Sequence, residues 1–135
     1  MNKLSKIDIA YMAGSVDGEG SITAYVTQRT RIRLTVTNTS LELMKWMVSR
    51  FGGSFYTKAK KEERNMQAYG WEVACKKAEK ALRLLLPFLV IKKRQAELAL
   101  QIQDTITIKR STVTPEIKVF RRWAVKQISK MNTGK

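Results

Sequence analysis

The chain has 135 residues, 44% of them hydrophobic, and its 26 basic and 11 acidic side chains give a net charge of +15 at pH 7. That length suits one domain with a small core, and the charge points to a polyanionic partner, nucleic acid ahead of an anionic membrane. With no histidine and one cysteine, Cys75, the sequence excludes a Ser-His-Asp triad, His-ligated metal, a multi-Cys zinc site and an intramolecular disulfide.

Ser5-Lys6-Ile7-Asp8 reads as a capping signal with Ser5 as N-cap. In the helix that follows, Ile9, Met12 and Val16 share one face. Ala10, Ala13, Gly14 and Asp17 are assigned to a second face, small enough for another backbone to approach. Gly18 and Gly20 end the helix. Residues 21–29 and 31–37 then alternate, with Ile22, Ala24, Val26, Ile32, Leu34 and Val36 on a greasy face. Thr23, Tyr25, Thr27, Arg29, Arg31, Arg33, Thr35 and Thr37 fall on a polar, basic one. Both read as strands of a hairpin.

Thr39-Ser40-Leu41-Glu42 reads as a capping box for a second helix, which Gly52-Gly53 ends. Residues 54–60 and 67–75 read as two further strands around a charged loop. Tyr69 and Trp71 can fall on either sheet face, and Cys75 reads as a buried strand-end residue. A third helix spans about 76–86 up to Pro87, and a fourth about 90–104. Thr114-Pro115 opens a last helix to about 130. Its basic residues Lys118, Arg121, Arg122, Lys126 and Lys130 either hold phosphates or form the wet side of a helix whose inner side is Ile117, Phe120, Ala124 and Ile128.

The order αββαββα with an added helical tail from about 113 predicts an α+β domain over 1–135, with an antiparallel sheet backed by helices. Its polar face suits a nucleic-acid groove. The longest apolar run, Leu84 to Ile91, is broken by Pro87 and falls short of the ~20 residues of a membrane span. The N-terminus is too polar for a signal peptide, so an intracellular, soluble protein with no membrane and no disulfide partner is expected. Catalysis is left to carboxylates, lysine, tyrosine or water, with a hard metal held by oxygen.

Met12 to Gly20 reads MAGSVDGEG. The stretch resembles the signature of the LAGLIDADG homing endonucleases. Ala13, Gly14, Asp17 and Gly20 are identical to it, Met12, Val16 and Glu19 are conservative, Gly18 is a common variant, and Ser15 departs from the usual apolar residue. The segment Leu86 to Ala96, LPFLVIKKRQA, is similar to a later P-F-L…K…Q-A stretch of that family. The αββαββα order resembles the family core over nearly the whole chain.

The resemblance implies a sequence-specific endonuclease that makes a double-strand break in a long, near-palindromic duplex by Mg²⁺-dependent phosphodiester hydrolysis, from an intron-encoded gene. Glu19 is the implied catalytic, metal-binding residue, with Mn²⁺ or Ca²⁺ able to replace Mg²⁺ in binding. Lys92 is implied near the reacting phosphate, and Asn38 stands where relatives carry a water-positioning glutamine. Glu42 stands where some relatives carry a basic residue. One motif implies a homodimer through the motif helix (Ala10, Ala13, Gly14, Asp17), with Asp17 hydrogen-bonding across the paired helices. DNA readout is expected from Thr23, Tyr25, Thr27, Arg29, Arg31, Arg33 and Thr35, and from Lys58, Lys60, Arg64 and Gln67 of the second hairpin. The competing expectations are a non-cleaving splicing maturase or regulator of the same fold, and a basic RNA-binding structural protein.

Overall fold

The computed structural model describes residues 4–26, 29–60, 62–106 and 113–134. Helix α1 (Lys6–Glu19) begins at a reciprocal cap. Ser5 Oγ accepts from the Asp8 N–H at 3.1 Å, and Asp8 Oδ2 accepts from the Ser5 N–H at 3.2 Å. Two otherwise orphaned helix donors are thereby satisfied. The helix runs straight into β1 (Gly20–Val26), which pairs antiparallel with β2 (Thr30–Asn38). Then come α2 (Leu41–Phe51), β3 (Ser54–Thr57), β4 (Tyr69–Ala74), α3 (Cys75–Leu85), a 3₁₀ turn (Leu86–Phe88) holding Pro87, α4 (Lys93–Ile106) and α5 (Pro115–Thr133).

The four strands form one antiparallel sheet in the order β1-β2-β4-β3. Alternation puts Ile22, Ala24, Ile32, Leu34, Val36, Trp71 and Val73 on one buried face. Met12 and Val16 of α1, Met44 and Met47 of α2, Leu82 and Leu85 of α3, Ile102 of α4 and Ile128 of α5 close over that face. Trp71, undecided by alternation alone, is fully buried, and its indole N–H donates to Gly52 O at 2.8 Å. That carbonyl is held in reach because Gly52 and Gly53 take φ of 75° and 79°, a left-handed turn that suits glycine between α2 and β3.

Two local expectations are overturned. Cys75 is exposed, not buried: β4 passes into α3 with no residue between them, and Cys75 makes that turn with φ 56° on the first turn of the helix. The second hairpin has shorter strands than alternation suggests, so Lys58, Lys60 and Gln67 join Arg64 in the connection between β3 and β4, where the Lys58 N–H still donates to Ala68 O at 2.9 Å.

Candidate active site and nucleic-acid face

Glu19 is the last residue of α1, and Asn38 is the last of β2. Because β1 leaves α1 at Gly20 and pairs Gly20 with Val36, the end of β2 returns beside the end of the helix. There Asn38 Nδ2 donates to both Glu19 carboxylate oxygens, at 2.7 and 2.8 Å. The amide is itself oriented, since Asn38 Oδ1 accepts from the Ser40 N–H at 2.7 Å and Ser40 Oγ caps α2 by accepting from the Leu43 N–H at 3.1 Å. A continuous line of bonds thus runs from the N-terminus of α2 to the Glu19 carboxylate.

Ser40, not Thr39, is the N-cap of α2, so the expected Thr39–Glu42 box does not form. Glu42 is exposed instead, on an open groove with Ile7, Tyr11 and Trp46.

A carboxylate at the C-terminal end of a helix meets the negative end of the helix dipole. Asn38 offsets that cost from one side, and the exposed carboxylate and helix end together favour a cation on the other. Among the described residues no three His, Cys, Asp or Glu side chains gather into a metal cage. One exposed carboxylate does fit an ion such as Mg²⁺, which keeps several waters and takes one or two carboxylates plus phosphate oxygen.

Asp17 and Lys92 brace the same helix end. Asp17 Oδ2 accepts from the Val90 N–H at 2.8 Å and Oδ1 from the Lys92 N–H at 2.9 Å, while Lys92 Nζ donates to Asp17 O at 2.9 Å. Within its own chain, both Asp17 oxygens thus accept backbone N–H bonds that pin the segment ahead of α4 to α1.

The glycines of the motif divide by role. A Cβ on Gly20 would lie 2.8 Å from Val16 Cα and O and 3.0 Å from Thr35 O. Its backbone is extended (φ −94°), so close approach, not an unusual dihedral, demands glycine there. A Cβ on Gly14 or Gly18 would meet nothing within 4 Å. Within the chain those two positions have no need to be small.

The small face is also redrawn. Ala13 is fully buried beside Met12 and Val16, because at about 100° per residue it falls in their stripe. The outward face is instead Ile7, Ala10, Tyr11, Gly14 and Gly18, with Ile7 81% and Tyr11 58% exposed. Apolar and small residues therefore run right around α1, a pattern found in helices that are covered on all sides.

On the sheet face away from the core lie Thr23 and Tyr25 of β1, Arg31, Arg33 and Thr35 of β2, and Tyr56 and Glu72 of the other strands. The guanidinium carbons of Arg31 and Arg33 stand 5.5 and 5.3 Å from the Tyr25 ring centroid. Such placement over a ring orients both cations. Arg33 Nε lies 3.6 Å from Glu72 Oε1. Glu72 was not among the expected readers, although its place opposite Trp71 and Val73 follows once Trp71 is assigned to the core.

Arg29 is exposed at the hairpin end, and Thr27 lies outside the described residues. Lys58 and Lys60 are exposed, and Arg64 pairs with Glu62 at 2.5 Å on the loop surface. Gln67 closes that loop by donating to Lys58 O at 2.7 Å and Ala68 O at 3.0 Å, so its amide N–H groups are already engaged. No helix among the described residues is long and apolar enough to cross a membrane.

A four-stranded antiparallel sheet with its helices on one side is the α+β fold of the LAGLIDADG homing endonucleases. The homing endonuclease I-CvuI, solved in complex with its target, is 24% identical with a TM-score of 0.76, over 96% of this chain and 85% of its own. An archaeal intron-encoded homing endonuclease, I-Vdi141I, solved with DNA, is 17% identical with a TM-score of 0.75, over 93% of this chain and 84% of its own. The LAGLIDADG homing endonuclease I-SmaMI bound to cleaved DNA is 17% identical with a TM-score of 0.62, and this chain spans 43% of its length. No family model and no curated protein matches the chain.

Proposed function

We propose that the chain is a LAGLIDADG-type homing endonuclease domain over 1–135, which acts as a homodimer and cuts both strands of a long, near-palindromic DNA site. The observation that carries this reading is the Glu19 carboxylate, exposed at the end of α1 and gripped at both oxygens by Asn38. Glu19 would hold a divalent ion against the scissile phosphate. Ca²⁺ and Mg²⁺ accompany DNA in solved I-CvuI complexes. Such an ion supplies charge stabilisation on the phosphate and acidifies water.

The chain's own groups do the rest. Asn38 keeps the carboxylate aimed. Lys92 spends one of its three donors on Asp17 O, leaving the others for a phosphate oxygen or the attacking water. The Asp17 bonds hold Lys92 beside the helix end.

The dimer reading rests on α1. Its exposed apolar face asks for cover, and Gly14 and Gly18 leave room for a second backbone. Two copies about a two-fold axis would bring two Glu19 carboxylates together, one per strand, and make the site near-palindromic. The sheet face then reads DNA, with Arg31 and Arg33 suited to guanine and Glu72 to the cytosine amine.

The test is a cleavage selection on a library of long, near-palindromic duplexes with Mg²⁺. Staggered cut ends from one sequence family, abolished by EDTA, support the endonuclease. One sequence family retained on the protein but uncut with Mg²⁺ or Mn²⁺ makes it a non-cleaving binding protein of the same fold.

A further inference from the structure

Helix α5 buries only one side. Ala124 and Ile128 seal against the underside of the sheet. Arg121 donates to Thr105 Oγ1 at 2.8 Å and Thr105 O at 3.0 Å, and Asn132 donates to Ile22 O at 2.8 Å, so the helix is tied down along its length. Lys118, Arg122, Lys126 and Lys130 recur every four residues, and all are exposed. At about 100° per residue they centre opposite Ala124 and Ile128, so they point away from the sheet. None of the four makes an ion pair among the described residues, and Glu116 is the only acid in the helix.

Like charges four residues apart repel, so the stripe does not stabilise α5. Beside it stand two exposed apolar side chains, Val119 at 67% and Trp123 at 46%. The Trp123 ring leans on Phe120, with centroids 6.1 Å apart, which limits its freedom before any partner arrives. Cations interleaved with an exposed, braced indole fit a polyanion that offers base faces. A duplex hides those faces in its stack, whereas a single strand presents them. A duplex lying on the polar sheet face also cannot reach the outer side of α5, because the sheet and the helix layer lie between them.

We propose that the outer face of α5 is a second nucleic-acid surface, one that takes a single-stranded segment with its phosphates on Lys118, Arg122, Lys126 and Lys130 and a base on Trp123. This surface is independent of the cleavage reading. Binding is measured by fluorescence anisotropy on the full chain, with labelled oligouridine and with a mixed-sequence DNA duplex. Trp123→Ala keeps the charge, and it is expected to weaken oligouridine binding about tenfold while duplex binding stays within about twofold. Replacing the four cations by Gln lowers the oligouridine salt slope by about 3, at roughly 0.7 for each phosphate no longer neutralised. Oligouridine also stays bound when the duplex is saturating. Unchanged oligouridine binding in Trp123→Ala, complete displacement by the duplex, or a fourfold variant that weakens the duplex more than the single strand would each overturn the proposal. The last result would assign the stripe to the DNA site.

Discussion

Glu19 is the residue on which the chemistry turns, and its neighbours make separable predictions. Glu19→Gln keeps the shape and one of the two oxygens that accept from Asn38 but removes the charge that holds a cation, so cleavage should fall by about 10³-fold or more with duplex binding retained. Asn38→Ala frees the carboxylate from its brace. The expected result is a rate about 10–100-fold lower, with a higher Mg²⁺ concentration needed for half-maximal rate, as for other groups that orient a metal ligand. If the drop in Asn38→Ala is the same at every Mg²⁺ concentration, Asn38 acts on water or substrate instead. Asp17→Asn should act on stability: a carboxylate accepting two backbone N–H bonds becomes an amide with one acceptor oxygen. A destabilisation of about 1–3 kcal/mol is expected, read as a lowered thermal midpoint. An unchanged midpoint would mean that these bonds do not pin the α4 segment.

At the scale of the element, α1 is shaped for two different surfaces. Gly20→Ala drives a Cβ into the backbone of Val16 and Thr35 and should destabilise the folded chain by about 1–3 kcal/mol. A Cβ added at Gly14 meets nothing within 4 Å, and the position is exposed, which leaves room for Gly14→Leu. It should leave the monomer folded, with a near-normal circular dichroism spectrum, yet shift sedimentation from dimer to monomer. A folded, still dimeric Gly14→Leu protein would remove α1 from the interface. Much of this element is legible in the sequence. The Ser5 cap and the exit at Gly20 follow from local chemistry, although the helix continues through Gly18, which the sequence also reads as a stop. The inward side of α1 is not legible at Ala13, because a small residue on the edge of an apolar stripe looks the same whether it packs inward or outward. The partners of Asp17 are out of reach for another reason: Val90 and Lys92 lie more than seventy positions away, and backbone donors leave no mark in a sequence.

At the scale of the whole molecule, one side of the sheet is sealed by helices and the other carries Arg31 and Arg33. The alternation of β1 and β2 is legible because one face is sealed and the other is not. The second hairpin is less so, because β3 is exposed throughout and carries no burial pattern to read. On the sheet face, Arg31→Gln and Arg33→Gln should relax specificity at particular base pairs by about 1–3 kcal/mol each, measured across single-base variants of the selected target. Uniform weakening across all targets would assign both side chains to phosphates.

The most direct test of one cleaving carboxylate per strand, in a dimer, is a mixing experiment on the selected target. Wild-type chain and Glu19→Gln chain are unfolded and refolded together, and the products are resolved as linear, nicked and intact circles. The account predicts that the mixed dimer nicks one strand only, with the nicked circle rising as the variant is titrated in. Linear product falling in proportion to the wild-type fraction, with no nicked circle at any ratio, would contradict it.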